Sequence, residues 1–196
     1  YYRKFLFNRR LEFDWPVGES VFTVEPEDYA LAEAGSGLSG ARLSPLHAAL
    51  VAAAVKNGGV MMRPYVVEQV ERDGVPLRRA EPEVLAEPMT GATAKKVALL
   101  MEGTIEQGGT GYNAFGRPMQ AQGMRREVPA KTGTVFGPCK ARNVTWFVGH
   151  VADGPPDMAF AVLLTTRRGV RVHATDLAWD YFETVFHDPK IQKHER

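Results

Sequence analysis

The chain has 196 residues, 44% of them hydrophobic, which is enough apolar material for the core of one domain. Lysine and arginine total 24 against 23 acidic residues, so the net charge of +1 gives no reason to expect a nucleic-acid partner. The single cysteine, Cys139, excludes an internal disulfide and has no catalytic partner in the sequence. The five histidines show no metal-binding spacing, and we expect neither a metal nor a cofactor.

The first third of the chain is punctuated by proline and glycine. Residues 1–34 mix aromatic and charged side chains with Pro16 and Pro26, which predicts irregular structure with short elements. Residues 35–40 spell G-x-G-x-x-G, the pattern of a dinucleotide-binding loop. That loop requires a preceding strand and an acidic residue about 20 positions later. Residues 29–34 are not strand-like and an Asn-Gly-Gly run occupies the acidic position, so we do not predict a nucleotide site.

Three helices and a hairpin are expected next. Ser44 can cap a helix that has Pro45 at its first position and ends at Asn57–Gly58. A strand from residue 66 is expected to turn at Asp-Gly, residues 73–74. A second helix, from about residue 90, carries apolar residues at helical spacing as far as Ile105 and is expected to stop at Gly108. A third is expected from about residue 175.

The most informative pattern is a tetrad of four consecutive residues: Lys131, Thr132, Gly133 and Thr134. It reads as the start of a strand, and residues 145–151 and 158–164 read as an antiparallel hairpin that follows it. Because alternate side chains of a strand share a face, the lysine and glycine should point one way and the two threonines the other. A cation, two hydroxyls and a glycine at this spacing suit a site that holds a carboxylate and polarises a carbonyl.

The tetrad and its context resemble one family. K-T-G is a mark of penicillin-binding proteins and class A β-lactamases. Residues 43–64 are similar to the family's helix before its final strands, residues 109–115 to the segment upstream of K-T-G, and residues 146–149 to the next strand. The chain therefore resembles the C-terminal part of a penicillin-binding protein transpeptidase domain. Residues 59–64 resemble the monofunctional class.

The resemblance implies an α/β fold, an antiparallel sheet flanked by helices, of the transpeptidase/β-lactamase type and incomplete. Residues 1–196 would form the C-terminal portion of a single transpeptidase domain, with an irregular segment at 1–34 and the helices and K-T-G strands at 35–196. The family's two further sheet strands would come from upstream sequence. The final strand, residues 158–166, is apolar on both faces, and one of its sides is expected to be unpaired.

The family's other two motifs have no counterpart here. The nucleophile is the serine of S-x-x-K, and the third motif is S-x-N. None of the four serines is followed by a lysine at the third position or an asparagine at the second: Ser20, Ser36, Ser39 and Ser44. Both motifs precede K-T-G in the family, so we expect this chain to be the distal part of a longer protein and to be inactive alone.

The resemblance also implies roles for the tetrad. Lys131 would stabilise the serine alkoxide or shuttle its proton, and the backbone N–H of Thr134 would form half of the oxyanion hole. The hydroxyls of Thr132 and Thr134 would bind the carboxylate of a D-Ala-D-Ala stem peptide or of a β-lactam. Gly133 would let the substrate lie against the backbone like an added strand.

The implied parent protein is a serine D,D-transpeptidase that cross-links peptidoglycan outside the cytoplasm, anchored by an N-terminal membrane segment and inhibited by β-lactams. Its partners would be the stem peptide and the remainder of the domain. Two alternatives stay open: a β-lactamase or D,D-carboxypeptidase, and a non-catalytic module that senses peptidoglycan or scaffolds a complex. The upstream sequence discriminates, because S-x-x-K and S-x-N support an enzyme.

Three positions carry no assigned chemistry. Ala130 stands where the family often has a glycine before the lysine. The loop at residues 135–143, which contains Cys139, has no role that the resemblance supplies. His150 alternates with Trp146 and Val148 on one strand face, which predicts a structural histidine with satisfied hydrogen bonds.

Overall fold

The computed structural model describes residues 1–124, 126–136, 142–154, 157–167 and 169–187. These segments contain α-helices α1 (Asp28–Gly35), α2 (Pro45–Lys56), α3 (Gly91–Glu102), α4 (Arg117–Ala121) and α5 (Ala174–His187). They contain strands β1 (Val21–Phe22), β2 (Ala41–Arg42), β3 (Met61–Met62), β4 (Gln69–Arg72), β5 (Val75–Arg79), β6 (Val84–Ala86), β7 (Ala130–Phe136), β8 (Arg142–His150) and β9 (Ala159–Arg167). A 3₁₀ turn spans Tyr2–Phe5, and a π-helical turn spans Tyr112–Gly116.

Helix α2 forms as its sequence predicts. The Ser44 hydroxyl accepts a hydrogen bond from the backbone N–H of His47 at 3.3 Å, and Pro45 occupies the first turn. The helix ends at Asn57. Its small side chains let it pack closely against β8 and β9, and its buried residues are His47, Ala48, Leu50, Ala52, Ala54 and Val55.

The end of α3 differs from its expected position. The helix begins after Thr90, whose hydroxyl accepts from the backbone N–H of Thr93, but it ends at Glu102 rather than near Gly108. Gly103 follows directly, and its low helix propensity favours a stop there. Ile105, which fits the helical spacing, lies in the subsequent turn and is buried in the core. Its apolar character reflects burial and not continuation of the helix.

The expected hairpin is present, with a shorter first strand. Strands β4 and β5 pair antiparallel around Asp73 and Gly74, whose φ angles of 52° and 77° fit a type I′ turn. Residues 66 and 67 lie outside β4. Their backbone N–H groups instead donate to the Asp14 carboxylate at 2.8 and 2.9 Å, which ties the hairpin to the N-terminal segment.

The N-terminal region contains only short elements, as expected. Strand β1 pairs with β2, and an isolated bridge joins Arg9 to Ser20. The G-x-G-x-x-G run begins at the last residue of helix α1 and leads into β2. A dinucleotide-binding loop has the reverse order, a strand before and a helix after. The structure therefore agrees with the rejection of a nucleotide site.

The largest sheet has the order β7-β8-β9, with both pairs antiparallel. Within the described residues, β9 pairs with β8 alone, as the sequence predicts for the final strand. Helix α5 also packs against β8 and β9. The observed architecture is an antiparallel sheet flanked by helices, which is the fold class that the resemblance implies.

An aromatic cluster holds one face of this sheet. Phe147 of β8 lies 5.2 Å from Phe115 and 5.3 Å from Phe160, measured between ring centroids. Phe182 of α5 lies 4.8 Å from Phe160 and 5.5 Å from Phe115, with edge-to-face geometry in both pairs. Each such pair contributes about 0.5–1.5 kcal/mol beyond area burial. The cluster thus joins the π-helical turn, the sheet and α5 in one core.

His150 is buried but not satisfied, which corrects the expectation. Only 2% of its surface is exposed, and its Nδ1 has no hydrogen-bond partner in the part of the chain that the structure describes. Burial, with a smaller contribution from the Lys56 ammonium, lowers the pKa of His150 to about 4. Lys56 itself donates to the Val151 carbonyl at 2.6 Å and pairs with Asp157. A neutral imidazole is therefore fixed in the core.

We expect this burial to make the fold acid-sensitive. The pKa of a histidine is near 6.5 in the unfolded chain, and that of His150 in the folded chain is about 4. Between these pH values the unfolded state therefore binds more protons than the folded state. The free energy of unfolding should fall as pH decreases from 6.5 to 4, by on the order of 3 kcal/mol. His150→Gln should flatten this part of a urea-denaturation profile against pH, whereas His187→Gln, at an exposed histidine, should not. Identical profiles for wild type and His150→Gln would contradict the assignment.

Candidate active site

Strand β7 carries the tetrad from the core to the surface. Pairing with β8 places Ala130, Thr132 and Thr134 on the same face as Phe147, because opposite residues of paired strands share a face. Ala130 is buried, Thr132 is half-buried and Thr134 is exposed. Along this face of β7, exposure therefore increases from Ala130 in the core, through Thr132, to Thr134 at the surface.

The backbone of Thr132 and Thr134 faces the free edge of β7. The N–H of His150 donates to the Pro129 carbonyl at 3.0 Å, so Pro129 and His150 form a hydrogen-bonded pair of the β7–β8 ladder. In an antiparallel ladder such pairs alternate with pairs whose N–H and C=O groups point away from the partner strand. Residues 130, 132 and 134 belong to the second kind. Their N–H groups are directed away from β8, towards the side where a ligand can approach.

The structure separates Lys131 from the threonine side chains. Its side chain is exposed and alternates to the other face of β7, and its Nζ donates to the carbonyl of Thr132 at 2.6 Å. This bond uses a carbonyl of the free edge. The tetrad therefore presents the Lys131 ammonium on one face of β7 and the two threonine hydroxyls on the other. The hydrogen bond from Lys131 reaches the free edge of the strand between them.

A pocket of about 480 Å³ lies beside the threonines. This size is within the range of small-molecule sites. Its lining comes from β7, β8, the π-helical turn and the segment before it, and the start of α5 with the residues that precede it. It comprises Thr110, Asn113, Ala114, Thr132, Gly133, Thr134, Thr145, Trp146, Arg171, His173, Ala174, Thr175 and Asp176. Three of the four tetrad residues thus meet in one cavity, and Lys131 is not among its lining residues.

Two hydroxyl contacts hold the walls of this pocket together. Thr110 lies 2.5 Å from Thr132, oxygen to oxygen, which links the segment before the π-helix to the tetrad. In the same pocket, the buried Thr145 hydroxyl accepts from the backbone N–H of Ala174 at 2.9 Å. The start of α5 is therefore fixed to β8. The sequence indicated residues 109–115 only as a matching segment and gave no local signal for Thr145.

A capping interaction organises the first turn of α5. The Asp176 carboxylate accepts from the backbone N–H of His173 at 2.7 Å, the reciprocal half of a capping box. A carboxylate in the first turn is also favoured by the helix dipole. Asp176 is half-buried in the pocket wall, and its negative charge is committed to the helix start.

The methyl group at position 130 has a structural explanation. Ala130 is fully buried and lies opposite Gly149 on β8. A Cβ at Gly149 would lie 2.8 Å from the Ala130 Cβ and would also collide with the Pro129 carbonyl. The glycine of β8 thus provides the space that the alanine of β7 fills. Ala130 therefore replaces the family's usual glycine before the lysine without a steric clash.

Three of the four serines make structural hydrogen bonds in the described residues. Ser20 is buried, and its hydroxyl accepts from the backbone N–H of Ser44 at 3.0 Å. Ser44 caps α2, and Ser36 donates to the Ala32 carbonyl at 2.9 Å in the last turn of α1. The buried imidazole of His47 contacts the Phe5 carbonyl at 2.6 Å and none of the serine hydroxyls. None of these serines is paired with a side-chain base.

Some residues singled out in the sequence lie outside the described part. Cys139 and the centre of the 135–143 loop, residues 137–141, are not among the described residues. In the part of the chain that the structure describes, no group of three His, Cys, Asp or Glu residues is arranged to bind a metal ion. Of the helices that the structure describes, none has the length and apolar character needed to cross a bilayer.

Comparison with known proteins decides the family. The penicillin-binding protein transpeptidase domain family matches residues 1–178 of the chain. The chain belongs to this family. A curated relative is the peptidoglycan D,D-transpeptidase PbpA of Mycolicibacterium smegmatis, 29% identical over 166 residues, which are 81% of this chain and 31% of that protein. The chain thus spans under a third of that relative's length.

Solved transpeptidase structures share the fold. The D,D-transpeptidase domain of a peptidoglycan glycosyltransferase from Eggerthella lenta is 26% identical, with a TM-score of 0.73 over 98% of this chain and 47% of that one. Penicillin-binding protein A from M. tuberculosis, in a penicillin G acyl-enzyme complex, is 23% identical, with a TM-score of 0.74 over 94% and 41%. In each comparison the match covers nearly all of this chain but less than half of the other protein's chain. The transpeptidase fold, present here in part, is therefore confirmed.

The space around two glycines of the transpeptidase sheet yields a stability prediction. A Cβ added at Gly133 would lie 3.5 Å from the Trp146 Cβ, which is ordinary contact, whereas one at Gly149 would collide with Pro129 and Ala130. We expect Gly133→Ala to change the free energy of unfolding by less than about 1 kcal/mol, and Gly149→Ala to cost about 1–3 kcal/mol. Thermal unfolding of the two variants measures this. Equal destabilisation would show that the fold itself requires glycine at position 133.

Proposed function

We propose that residues 1–196 are the C-terminal portion of one transpeptidase domain in a protein that cross-links peptidoglycan. Residues 1–34 form its irregular N-terminal segment, and residues 35–196 supply the helices and the K-T-G strands. The observation that carries this proposal is the tetrad at the free edge of β7, with the backbone N–H of Thr134 directed outwards beside the pocket. The family match and the name of the M. smegmatis relative support it.

The proposed reaction is acyl transfer through serine. A serine Oγ from the remainder of the domain attacks the carbonyl carbon of the D-Ala-D-Ala peptide bond and forms an acyl-serine ester. The peptide C–N bond breaks, and the released D-alanine amine takes a proton. A neighbouring stem-peptide amine then attacks the ester, forms the cross-link and regenerates the serine hydroxyl. The names of the relatives favour this reaction over a β-lactamase, a carboxypeptidase or a non-catalytic module.

The tetrad supplies complementary parts of this reaction. The outward N–H of Thr134 provides one oxyanion-hole donor, and the N–H of the incoming serine provides the other. Lys131, whose ammonium is exposed and makes only a carbonyl contact among the described residues, stabilises the alkoxide or carries its proton. Thr132 and Thr134 hold the substrate carboxylate. Gly133 leaves room for a peptide along the edge, because the fold does not fill the position of its missing Cβ.

The remainder of the domain is the proposed partner of β9. The Val151 N–H donates to the Met158 carbonyl at 2.9 Å, which fixes the alternation of the β8–β9 ladder. The backbone groups of Ala159, Ala161 and Leu163 then point away from β8. Such an apolar strand with an unpaired side is a template for another strand. We propose that strands from upstream sequence of the same protein pair there.

The proposed setting follows the family. Peptidoglycan lies outside the cytoplasm, so the parent protein acts there, held by an N-terminal membrane segment outside these residues. β-Lactams are the proposed inhibitors. The M. tuberculosis penicillin-binding protein A forms an acyl-enzyme with penicillin G, and its fold matches this chain.

The lysine gives the sharpest test of the catalytic roles. In the complete gene product, Lys131→Ala should slow acylation by benzylpenicillin by several powers of ten with the unfolding temperature unchanged, because it removes charge stabilisation and not packing. Thr134→Val should be milder, since the backbone N–H remains. Lys95→Ala, at an exposed lysine of α3, is the matched control and should acylate like wild type. A wild-type acylation rate for Lys131→Ala would reject the catalytic assignment.

A further inference from the structure

The hairpin of β4 and β5 forms a small sheet of its own. Within the described residues its two strands pair only with each other, and every residue of both strands is exposed. A two-stranded hairpin with so little buried surface is marginally stable in water. The outer edge of each strand also carries backbone groups without a strand partner, which are a template for another strand. The hairpin would therefore be stabilised by a further strand.

The two edges of the hairpin differ in their ability to accept that strand. On β5, Leu77 is an extra residue with no opposite residue on β4, and Pro76 has no N–H to donate. A bulge and a proline protect a strand edge against pairing. Strand β4 has neither feature. The edge of β4 is therefore the one that is open to a partner.

The free backbone groups of β4 belong to Gln69 and Glu71. The N–H of Ala80 donates to the Glu68 carbonyl at 2.7 Å, so these two residues form a hydrogen-bonded pair of the hairpin. Along an antiparallel strand such residues alternate with residues whose N–H and C=O groups point away from the partner. The extra residue of the hairpin lies on β5, so the alternation along β4 is unbroken. The groups of residues 69 and 71 are therefore directed outwards.

Two copies of β4 can pair in one register. Outward groups must face each other, so a two-fold axis between the copies must pass through residue 69, 70 or 71. An axis at Gln69 would require the N–H of Val67, which already donates to the Asp14 carboxylate at 2.9 Å. An axis at Glu71 would place this carboxylate directly opposite its own copy, where like charges are destabilising. An axis at Val70 has neither fault.

The sequence on either side of Val70 is complementary to itself in that register. Glu68 of each copy lies opposite Arg72 of the other, and Gln69 lies opposite Glu71. Both members of the charged pair are exposed, and neither forms an ion pair with a residue that the structure describes. Opposite charges at directly opposed positions of paired strands are stabilising. The edge of β4 thus fits a second copy of itself in both backbone pairing and charge.

We propose that the edge of β4 is a dimerisation surface and that its occupant is β4 of a second copy of this chain. The two hairpins form one four-stranded sheet in the order β5-β4-β4-β5, with a Glu68–Arg72 ion pair on either side of the two-fold axis. Such an interface is small, so the dimer is weak and depends on protein concentration. No residue of the hairpin lines the pocket beside the tetrad, and the inference does not rest on the proposed function.

Charge reversal tests the register. The dissociation constant of the complete gene product is measured by sedimentation over a dilution series. Glu68→Arg opposes two arginines and Arg72→Glu opposes two glutamates, so each variant should weaken the dimer at least about 10-fold. An equimolar mixture of the two variants restores opposite charges in both pairs and should associate as tightly as wild type. Glu87→Arg, at an exposed glutamate outside the hairpin, is the matched control and should behave like wild type.

Disulfide formation locates the two-fold axis. In a Cys139→Ser background, Val70→Cys places two cysteines opposite each other in a pair without mutual hydrogen bonds, where the Cα atoms are about 4.5 Å apart and a disulfide can form. Mild oxidation should link this variant as a dimer through position 70, as mapped by peptide mass spectrometry. Val75→Cys, on the outer strand, lies at least three spacings of about 4.8 Å from its copy and should remain unlinked.

The outcomes that overturn the proposal are distinct. A dimer whose dissociation constant is unchanged by Glu68→Arg uses another surface. A complete gene product that is monomeric throughout the dilution series, with no linkage of Val70→Cys, has its β4 edge covered by something other than a second copy. Equal linkage of Val70→Cys and Val75→Cys reflects random collision. The substituted side chains are exposed, so all variants should keep the wild-type unfolding temperature.

Discussion

The pairing of β7 with β8 under the aromatic cluster is the constraint on which the site depends. Phe147 is fully buried against Phe115 and Phe160, and it lies directly opposite Thr132. A slip of one residue in this register would turn Lys131 towards the core and expose the threonine side chains on the wrong face. Burying an unpaired ammonium is far more costly than any local gain. The apolar face therefore fixes which side chains of the tetrad reach the pocket.

The same packing separates the chemistry of the tetrad into two sides. The aromatic cluster holds α5 on the threonine side, and Thr145 ties the start of that helix to β8. A pocket with hydroxyls and one guanidinium results on this face, while the Lys131 ammonium remains on the other. The hydroxyls that we propose bind a carboxylate and the ammonium that we propose activates a nucleophile are thus held on opposite sides of one strand edge. A substrate lying along that edge would contact both.

Sequence reasoning predicted what depends on short-range chemistry. The cap at Ser44, the Asp-Gly turn and the alternation within the tetrad follow from local rules, and the structure shows each of them. It failed where distant parts of the chain decide. The unsatisfied imidazole of His150 and the place of Arg171 in the pocket depend on tertiary packing, and no nearby pattern signals them. Arg171 is 40 positions from Lys131, and the tertiary fold brings it to the tetrad's pocket. The expected end of α3 is too late because the buried Ile105 fits the helical spacing, although Gly103 favours a stop there.

Covalent labelling by a fluorescent penicillin tests the central claim most directly, namely that these residues form one part of a serine transpeptidase site. Because the acyl-enzyme needs a serine that this chain lacks in the required motif, the complete gene product should be labelled stoichiometrically and the 196-residue chain should not. The label should survive heating in detergent and map outside residues 1–196. A stoichiometric, heat-stable label on the isolated chain would contradict the account, and its position would identify the true nucleophile.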